Sequence, residues 1–292
     1  MLTKQEQQLP IRTEQDGNGE TALNSNEIQS RVDELGALQA WNHNYTLPNG
    51  VETRPGAQVS HGKNLVKLER LKPLFDVIGL NGKSVLDVGC NEGFFSLHMA
   101  GEGAKVMGID IDEQRIAKAR YVQSVLGEGK DVRFDSLDIY SPQFKVLDRF
   151  DLCLCLGFIH RVPDPFSAIA ALADRADMII FEWKALKFGP HDDAFAYFSP
   201  KSIDEADYYG TEYWLLSYAA LERILLRIGF KHFHRIDDPR QRRAILVAGR
   251  QQHHLFERPD QIIHRGRLRA LLTHGKRFLR AVFNIITGRL NA

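Results

Sequence analysis

VLDVGCNEGFF, residues 85–95, is the stretch that decides the fold of this chain. The apolar run from Ser84 to Val88 shows no alternation, which is typical of a strand buried on both faces of a parallel sheet. Gly89 then permits a tight turn, and Gly93 permits the following helix to pack closely on the strand. The sequence therefore predicts a backbone-lined pocket at the carboxyl edge of the sheet, where ligands of open α/β sheets bind.

The same turn indicates which ligand the pocket accepts. A dinucleotide-binding turn has the pattern G-x-G-x-x-G and holds a pyrophosphate, whereas here the middle glycine is missing and Glu92 is expected to repel a phosphate. A cationic or zwitterionic ligand fits better, and S-adenosylmethionine carries a sulfonium, an ammonium and one carboxylate. We therefore predict that it contacts a set of turn residues: Asp87, Gly89, Cys90, Asn91, Gly93 and Phe94.

Two further acidic residues follow later strands of the predicted sheet. Asp110 ends the second strand and precedes Ile111, and an acid at this place can accept hydrogen bonds from both ribose hydroxyls. Asp138 and Ile139 follow the third strand, where the carboxylate can accept from the adenine amino group. The fourth strand ends in Gly157, which completes the predicted cofactor contacts.

These motifs occur in the order and approximate spacing found in class I S-adenosylmethionine-dependent methyltransferases. They are Asp87-x-Gly89-x-x-x-Gly93, Asp110, Asp138 and the segment FDLCLCLGFIHRVPDP at 150–165. The chain resembles that family over residues 82–249. The resemblance implies an α/β, Rossmann-like fold with a seven-stranded, mostly parallel sheet, helices on both faces and an antiparallel last strand.

Three segments resemble a narrower bacterial subgroup. They read WNHNYTLPNGVETRPG at 41–56, GCNEGFFS at 89–96 and LGFIHRVPDP at 156–165. That subgroup is related to the tRNA wobble-uridine carboxymethyltransferase and to uncharacterised O-methyltransferases. The resemblance therefore implies two alternative cofactors, S-adenosylmethionine and its carboxylated derivative, whose extra carboxylate needs a nearby cation such as Arg161 or Lys63.

The sequence divides into four regions. Residues 1–29 are polar and are predicted to be disordered, and residues 30–81 are predicted to form an N-terminal cap and a helix that leads into the first strand. Residues 82–250 form the methyltransferase domain, with an aromatic insertion at 182–218. Residues 251–292 form a basic amphipathic tail, which suits a membrane surface or an anionic partner as well as a helix docked on the protein or on a second copy.

The acceptor is expected to bind between the cap and the aromatic insertion. Trp41 and Tyr45 are the candidates from the cap, and Arg161 follows the fourth strand. The subgroup resemblance implies that Tyr213 and Trp214 of the insertion face the substrate. The alternative interpretation is that these aromatic rings form a small core cluster.

A hydroxyl acceptor needs its proton removed, and two side chains are candidate general bases. His160 follows the fourth strand, and an imidazole side chain ordinarily titrates near neutral pH; Glu182 ends the fifth strand. The alternatives are a structural histidine that caps the following turn and an ordinary strand-end acid. A metal ion at His191, Asp192 and Asp193 is a further option, but three adjacent side chains do not converge easily, so we predict no metal site.

Composition limits the function classes. The formal net charge of the 292 residues is +1, which gives no global signature of nucleic-acid binding. The N-terminus does not resemble a signal peptide, and no apolar run approaches the ~18 residues of a membrane span. We therefore expect a cytoplasmic protein, with the tail as a route to peripheral contact at the inner membrane face.

Three hypotheses of function follow. The leading one is O-methylation of a sugar, a glycan or another small hydroxylated acceptor by in-line displacement with general-base help. The second is methylation or carboxymethylation of a tRNA wobble uridine. The third is a non-catalytic module that binds the cofactor. The sequence leaves the acceptor and the oligomeric state open, because the fold alone does not supply them.

Overall fold

The computed structural model describes nine parts of the chain: residues 14–15, 21–22, 24–55, 58–127, 129–186, 194–198, 214–237, 243–258 and 260–262. Several predicted features lie outside these residues. They include Tyr213, the triplet 191–193, most of the aromatic insertion and the tail from residue 263 onward. Within the described part, every helix is too short or too polar to span a bilayer.

A central sheet carries the fold, and its seven main strands are β1 (Ser84–Val88), β2 (Lys105–Asp110), β3 (Val132–Ser136), β4 (Phe150–Leu156), β5 (Ala176–Lys184), β6 (His232–Asp237) and β7 (Arg243–Gly249). The strand order is β6-β7-β5-β4-β1-β2-β3, and only β7 runs antiparallel to its neighbours among these strands. Gln261–Ile262 adds a short parallel pairing beside β6. The predicted Rossmann-like, mostly parallel sheet with an antiparallel last strand is confirmed.

Helices cover both faces of the sheet. They are α1 (Ser25–Leu38), α2 (Gln58–Ile78), α3 (Phe94–Gly101), α4 (Glu113–Leu126), α5 (Pro142–Lys145), α6 (Pro165–Arg175) and α7 (Tyr218–Arg227). Leu152 and Leu154 of β4 belong to the core shared with α1 to α4, whereas Cys153 and Cys155 belong to the core shared with α5 to α7. This burial on both faces explains the unbroken apolar run of β4.

The N-terminal region departs from the expected boundaries. Helix α1 begins at Ser25, inside the segment 1–29 that composition predicts to be disordered, and Asn24 caps it by accepting a hydrogen bond from the backbone of Asn26. The helix ends at Leu38, three residues before Trp41. From there the chain continues without regular structure to an isolated bridge between Thr46 and Glu52, which encloses a short 3-10 helix at Pro48–Gly50.

Candidate cofactor site

A cavity of about 680 Å³ lies at the carboxyl ends of β1, β2 and β4 and at the segment that follows β3. The loop after β1 forms its floor, and residues from α2, β7 and the N-terminal segment close its sides. The predicted cofactor residues that line it are Asp87, Gly89, Cys90, Asn91, Asp110, Ile111, Asp138, Ile139 and Gly157. The position agrees with the rule that ligands of open α/β sheets bind where strand order reverses, here between β1 and β4.

The turn after β1 needs its two glycines for different reasons. Gly89 has φ +69°, and a side chain there would reach Phe158 at 2.9 Å. Gly93 has φ +82° and begins α3, and a Cβ at this position would lie 2.5 Å from the Phe134 ring. The absence of a side chain at Gly89 therefore leaves room for the Phe158 ring, whereas its absence at Gly93 allows the turn to pack against Phe134 of β3.

Asp87 sits below this turn and is almost completely buried, with 3% of its surface exposed. Its carboxylate accepts a hydrogen bond of 2.6 Å from the Ser96 hydroxyl. Burial raises the pKa of Asp87 to about 6, against the opposing effect of that hydrogen bond. A partly desolvated carboxylate at the cavity floor is a favourable partner for a cationic ligand.

We expect Asp87→Asn to stabilise the ligand-free protein at pH 8 while weakening its binding of a cationic ligand. Because the folded-state pKa of Asp87 lies near 6 and the unfolded value near ~3.9, the ionised carboxylate lowers stability above pH 6, and this penalty disappears as pH falls towards 4. The asparagine variant avoids a penalty of about 1–3 kcal/mol. Thermal unfolding at pH 8 and pH 5 tests this: a variant less stable than wild type at pH 8 would contradict it.

Asp110, at the end of β2, is arranged to hold a diol. Its Oδ2 accepts the backbone N–H of Asn91 at 2.9 Å, and its Oδ1 accepts that of Asp112 at 3.1 Å. Burial raises the pKa of Asp110, while these two hydrogen bonds and Arg115 oppose the shift. Since each carboxylate oxygen can accept two hydrogen bonds, one acceptor position on each remains, which is compatible with the predicted contact to two ribose hydroxyls.

The far end of the cavity suits an adenine ring. Asp138 accepts the backbone N–H of Tyr140 at 2.9 Å, and Leu137 and Ile139 line the cavity on either side of it. Ile111 also lines the cavity although 40% of its surface is exposed. An apolar side chain exposed beside two acids is what a flat, partly polar ring would cover.

Two predicted turn residues do not line the cavity. The backbone of Gly93 packs against the Phe134 ring. The centre of the Phe94 ring lies 5.8 Å from that of the His43 ring and 6.3 Å from that of the Tyr45 ring. Phe95 lines the cavity instead. The position in α3 decides this, because successive helical residues point in directions about 100° apart.

Glu92 also differs from the expectation that it faces the ligand and repels phosphate. Its side chain is fully buried and accepts the backbone N–H groups of Asn42 and His43. The argument against a phosphate ligand from Glu92 is therefore wrong. The prediction that the cavity does not hold a pyrophosphate therefore depends on the missing middle glycine and on the acids Asp87 and Asp110.

The opposite end of the cavity is cationic. Lys67 from α2, Arg161 after β4 and Arg243 from β7 all line it. Nζ of Lys67 and NH1 of Arg243 lie 3.3 Å and 3.2 Å from the same oxygen of Glu182. Burial lowers the pKa of Lys67, while Glu182 opposes this shift. Lys67 and Arg243 lie beside Gly157 and form the basic end of the cavity, which is near enough to Asp87 for Lys67 to lower the pKa of that carboxyl.

The two predicted general bases lie behind this basic end. His160 is fully buried and does not line the cavity, and among the described residues neither of its ring nitrogens has a hydrogen-bond partner. Burial and the neighbouring Arg243 and Arg161 lower its pKa well below the usual range. Glu182 is 1% exposed, with its carboxylate held by two cations.

The structure does not bring the residues predicted to bind the methyl acceptor together around the cavity. Arg161 lines the cavity, but Trp41 is buried, with its indole N–H bonded to the carbonyl of Val32, and Tyr45 donates to the carbonyl of Glu92. Trp214 is half-buried and donates to the carbonyl of Pro163, away from the cavity. Tyr213 lies outside the described residues.

Several cavity residues had no signal in the sequence. They come from segments distant in the chain or from unremarkable helical positions: Gln39, Asn64, Lys67, Asp112, Arg115 and Arg243. Asn42, His43 and Phe158 also line the cavity, and they belong to segments that resemble the bacterial subgroup. Among the described residues, no three side chains of the metal-ligating type form a cluster.

Comparison with known proteins identifies the domain. Residues 80–184 match the family model of a methyltransferase domain. A ubiquinone biosynthesis O-methyltransferase of Pseudomonas fluorescens is 38% identical over 111 residues, which are 34% of this chain and 47% of that protein. The protein of the same name from Idiomarina loihiensis is 29% identical over 245 residues, which are 83% of this chain and 82% of that protein.

The fold has solved counterparts. The N-terminal domain of EvdMO1, crystallised with SAH bound, superposes with a TM-score of 0.61 at 21% identity, covering 78% of this chain and 98% of that one. Several curated relatives are matched over only about half their length, with 47% covered in the Pseudomonas protein. Residues 80–184 thus match a methyltransferase domain, and the strand order and the acidic residues of the cavity agree with that match.

Proposed function

We propose that the protein transfers a methyl group from S-adenosylmethionine to a hydroxyl oxygen of a small acceptor. The observation that carries this proposal is the polarity of the cavity. Its three carboxylates, Asp87, Asp110 and Asp138, suit a cationic adenosyl ligand, and the cations beside Gly157 offer partners for an acceptor. The relatives named as O-methyltransferases of ubiquinone biosynthesis support transfer to oxygen on a small molecule.

The chain would act mainly by positioning. Bound in this cavity, S-adenosylmethionine supplies an electrophilic methyl group. Asp110 would fix the ribose and Asp138 the adenine, and the basic end would orient the acceptor oxygen. Orientation of this kind contributes up to about 7–11 kcal/mol to a two-reactant step.

Lys67 is the side chain that we propose to orient the acceptor. It lines the cavity, whereas the predicted bases His160 and Glu182 do not. Its burial and its contact with Glu182 fix the position of the ammonium. The roles of His160 and Glu182 as general bases stay predictions, and this geometry favours Lys67 over both of them.

We expect Lys67→Met to lower kcat/KM for the acceptor by about 10- to 100-fold, the effect of losing one hydrogen bond to a charged group. Affinity for S-adenosylhomocysteine should stay within about threefold of wild type, because the proposed ribose and adenine contacts are made by Asp110 and Asp138 and not by Lys67. Lys72→Met is the matched control, since Lys72 lies on the same helix but is half-exposed and pairs with Asp76. If Lys67→Met weakened binding of S-adenosylhomocysteine by the same factor as kcat/KM, Lys67 would contact the cofactor and not the acceptor.

The narrower acceptor class has two candidates. A sugar or glycan remains our first choice among small hydroxylated acceptors. A tRNA wobble uridine with a carboxylated cofactor is the second, because Lys67, Arg161 and Arg243 offer cations for an extra carboxylate. The near-neutral net charge of +1 weighs against RNA.

Labelled cofactor separates these alternatives. The protein would be incubated with methyl-labelled S-adenosylmethionine and catechols, free sugars, lipid-linked glycans or total tRNA, and in parallel with the carboxylated cofactor. Label in a small hydroxylated compound supports the proposal, and label in tRNA alone contradicts it. Tight cofactor binding with no labelled product in any arm would favour a non-catalytic module.

We also propose a cytoplasmic location with contact at the inner membrane face through the basic tail. The support is the pattern of basic and apolar residues between 261 and 292, which lies almost wholly outside the described residues. Flotation of the intact protein with anionic vesicles, compared with a version ending at Gln252, tests this placement. Equal flotation of both would contradict it.

A further inference from the structure

Glu92 belongs to the turn after β1, yet its carboxylate serves a different part of the chain. The side chain is fully buried and accepts the backbone N–H of Asn42 at 2.8 Å and that of His43 at 2.6 Å. Nζ of Lys118, from α4, lies 3.7 Å from Oε1, the same carboxylate oxygen that accepts the N–H of Asn42. A buried carboxylate is costly unless such partners surround it, so this arrangement links the turn firmly to the N-terminal segment.

Lys118 holds the same segment by its carbonyl groups. Its ammonium donates to the carbonyl of Gln39 at 2.5 Å and to that of Ala40 at 3.2 Å, and lies 5.2 Å from the centre of the Trp41 ring. We refer to residues 39–45 as the cover segment. Glu92 accepts hydrogen bonds from two N–H groups of the cover segment, and Lys118 donates hydrogen bonds to two of its carbonyl groups. The buried ion pair therefore satisfies backbone groups that have no partner in a helix or sheet.

The cover segment forms part of the cofactor cavity. Gln39, Asn42 and His43 line it. The Gln39 amide donates to the Asp112 carboxylate at 2.8 Å, and the Asp112 backbone N–H donates to Asp110, the predicted ribose ligand, at 3.1 Å. The segment is therefore connected to the ribose position through a single intervening residue.

The connection also runs from the cover segment back to the turn. The Tyr45 hydroxyl donates to the main-chain carbonyl of Glu92 at 2.6 Å. The neighbouring Asn91 has φ +56°, a left-handed conformation that non-glycine residues rarely adopt, and its N–H donates to Asp110. Contacts on both the side chain and the main chain of Glu92 thus hold the turn in the shape that presents Asp110.

We propose that Glu92 is a positioning residue for cofactor binding, which fastens the cover segment over the cavity through the backbone N–H groups of Asn42 and His43. Docking of the segment and binding of the cofactor then favour each other, and by linkage the effect is the same in both directions. The inference rests on the proposed cofactor, but it assigns the buried Glu92–Lys118 pair a task outside the chemical step.

The test combines two measurements on the full chain. Amide hydrogen exchange reports the protection of Asn42 and His43, and calorimetric titration reports affinity for S-adenosylhomocysteine. Glu92→Gln is expected to speed exchange at both amides and to weaken S-adenosylhomocysteine binding about 10- to 100-fold through faster dissociation. Glu113→Gln, at an exposed position in the first turn of α4, is the matched control and should change neither quantity.

Each outcome decides the inference. Faster exchange with unchanged affinity would overturn the coupling, and unchanged exchange would overturn the fastening by Glu92. If Glu92→Gln does not fold, Tyr45→Phe removes one hydroxyl contact to Glu92 and leaves the ion pair intact. It should produce a smaller loss in both quantities, and no change in either would overturn the inference. Failure of wild type to bind S-adenosylhomocysteine would instead refute the proposed function.

Discussion

Asp110→Ala is expected to weaken binding of S-adenosylmethionine by at least about 100-fold, which equilibrium dialysis would measure. Two hydrogen bonds from ribose hydroxyls to a carboxylate are lost, each contributing about 1.5–3 kcal/mol. The same change also removes the acceptor for the N–H groups of Asn91 and Asp112, so the turn itself loosens. Both effects act in the same direction.

Two variants separate these contributions. Asp110→Asn keeps the shape and one acceptor oxygen, and should lose less affinity than the alanine variant. Asp135→Ala removes a carboxylate from β3 that is half-exposed and pairs with Arg120 outside the cavity, and should bind like wild type. If the alanine variant at Asp110 bound the cofactor normally, the ribose position would not lie here.

Gly93→Ala should destabilise the protein by about 2–5 kcal/mol, and Gly93→Val should prevent accumulation of folded protein. The left-handed conformation at φ +82° costs a side-chain-bearing residue about 1–2 kcal/mol. A Cβ at this site would lie 2.5 Å and 2.8 Å from two atoms of the Phe134 ring, and overpacking of this kind adds about 1–3 kcal/mol. Chemical denaturation measures the sum.

Gly82→Ala provides the control for backbone strain alone. Gly82 also has a positive φ, +76°, but no atom lies within 4 Å of the Cβ position. This variant should lose only about 1–2 kcal/mol. Adding Phe134→Leu to Gly93→Ala should recover part of the stability if the ring clash is the cause. Equal losses at Gly82 and Gly93 would contradict the packing argument.

The position of the acidic residues along the cavity was predictable because its determinants are local in sequence. The apolar strands, the two glycines and an acid at or near the carboxyl end of each of three strands specify a parallel sheet with polar groups at one edge. Asp87, Asp110 and Asp138 therefore lie where their strand ends require. The side-chain period of two also explains why neighbouring residues of β4 belong to different cores.

The basic end of the cavity was not predictable because it is assembled from distant segments. Lys67 precedes β1 on a long helix, and Arg243 reaches Glu182 only because β7 inserts antiparallel beside β5. The pairing register sets Ile245 opposite Glu182, and a shift of one residue would send Arg243 to the other face of the sheet. No local pattern around these residues reports that register.

The direction in which an individual side chain points was also not predictable from the sequence. Glu92 and Asn91 are neighbours in one turn, but Asn91 lines the cavity while Glu92 enters the core beneath the cover segment. His160 follows a strand, as a catalytic residue would, yet it is fully buried. Backbone angles and long-range packing decide such directions, and residue type does not encode them.

Calorimetric titration of S-adenosylhomocysteine into the intact wild-type protein tests the central claim most directly. The cavity with Asp87, Asp110 and Asp138 predicts one binding site per chain and competition by S-adenosylmethionine, with NAD producing no heat. Binding of NAD without binding of S-adenosylhomocysteine would contradict the assignment of the cavity.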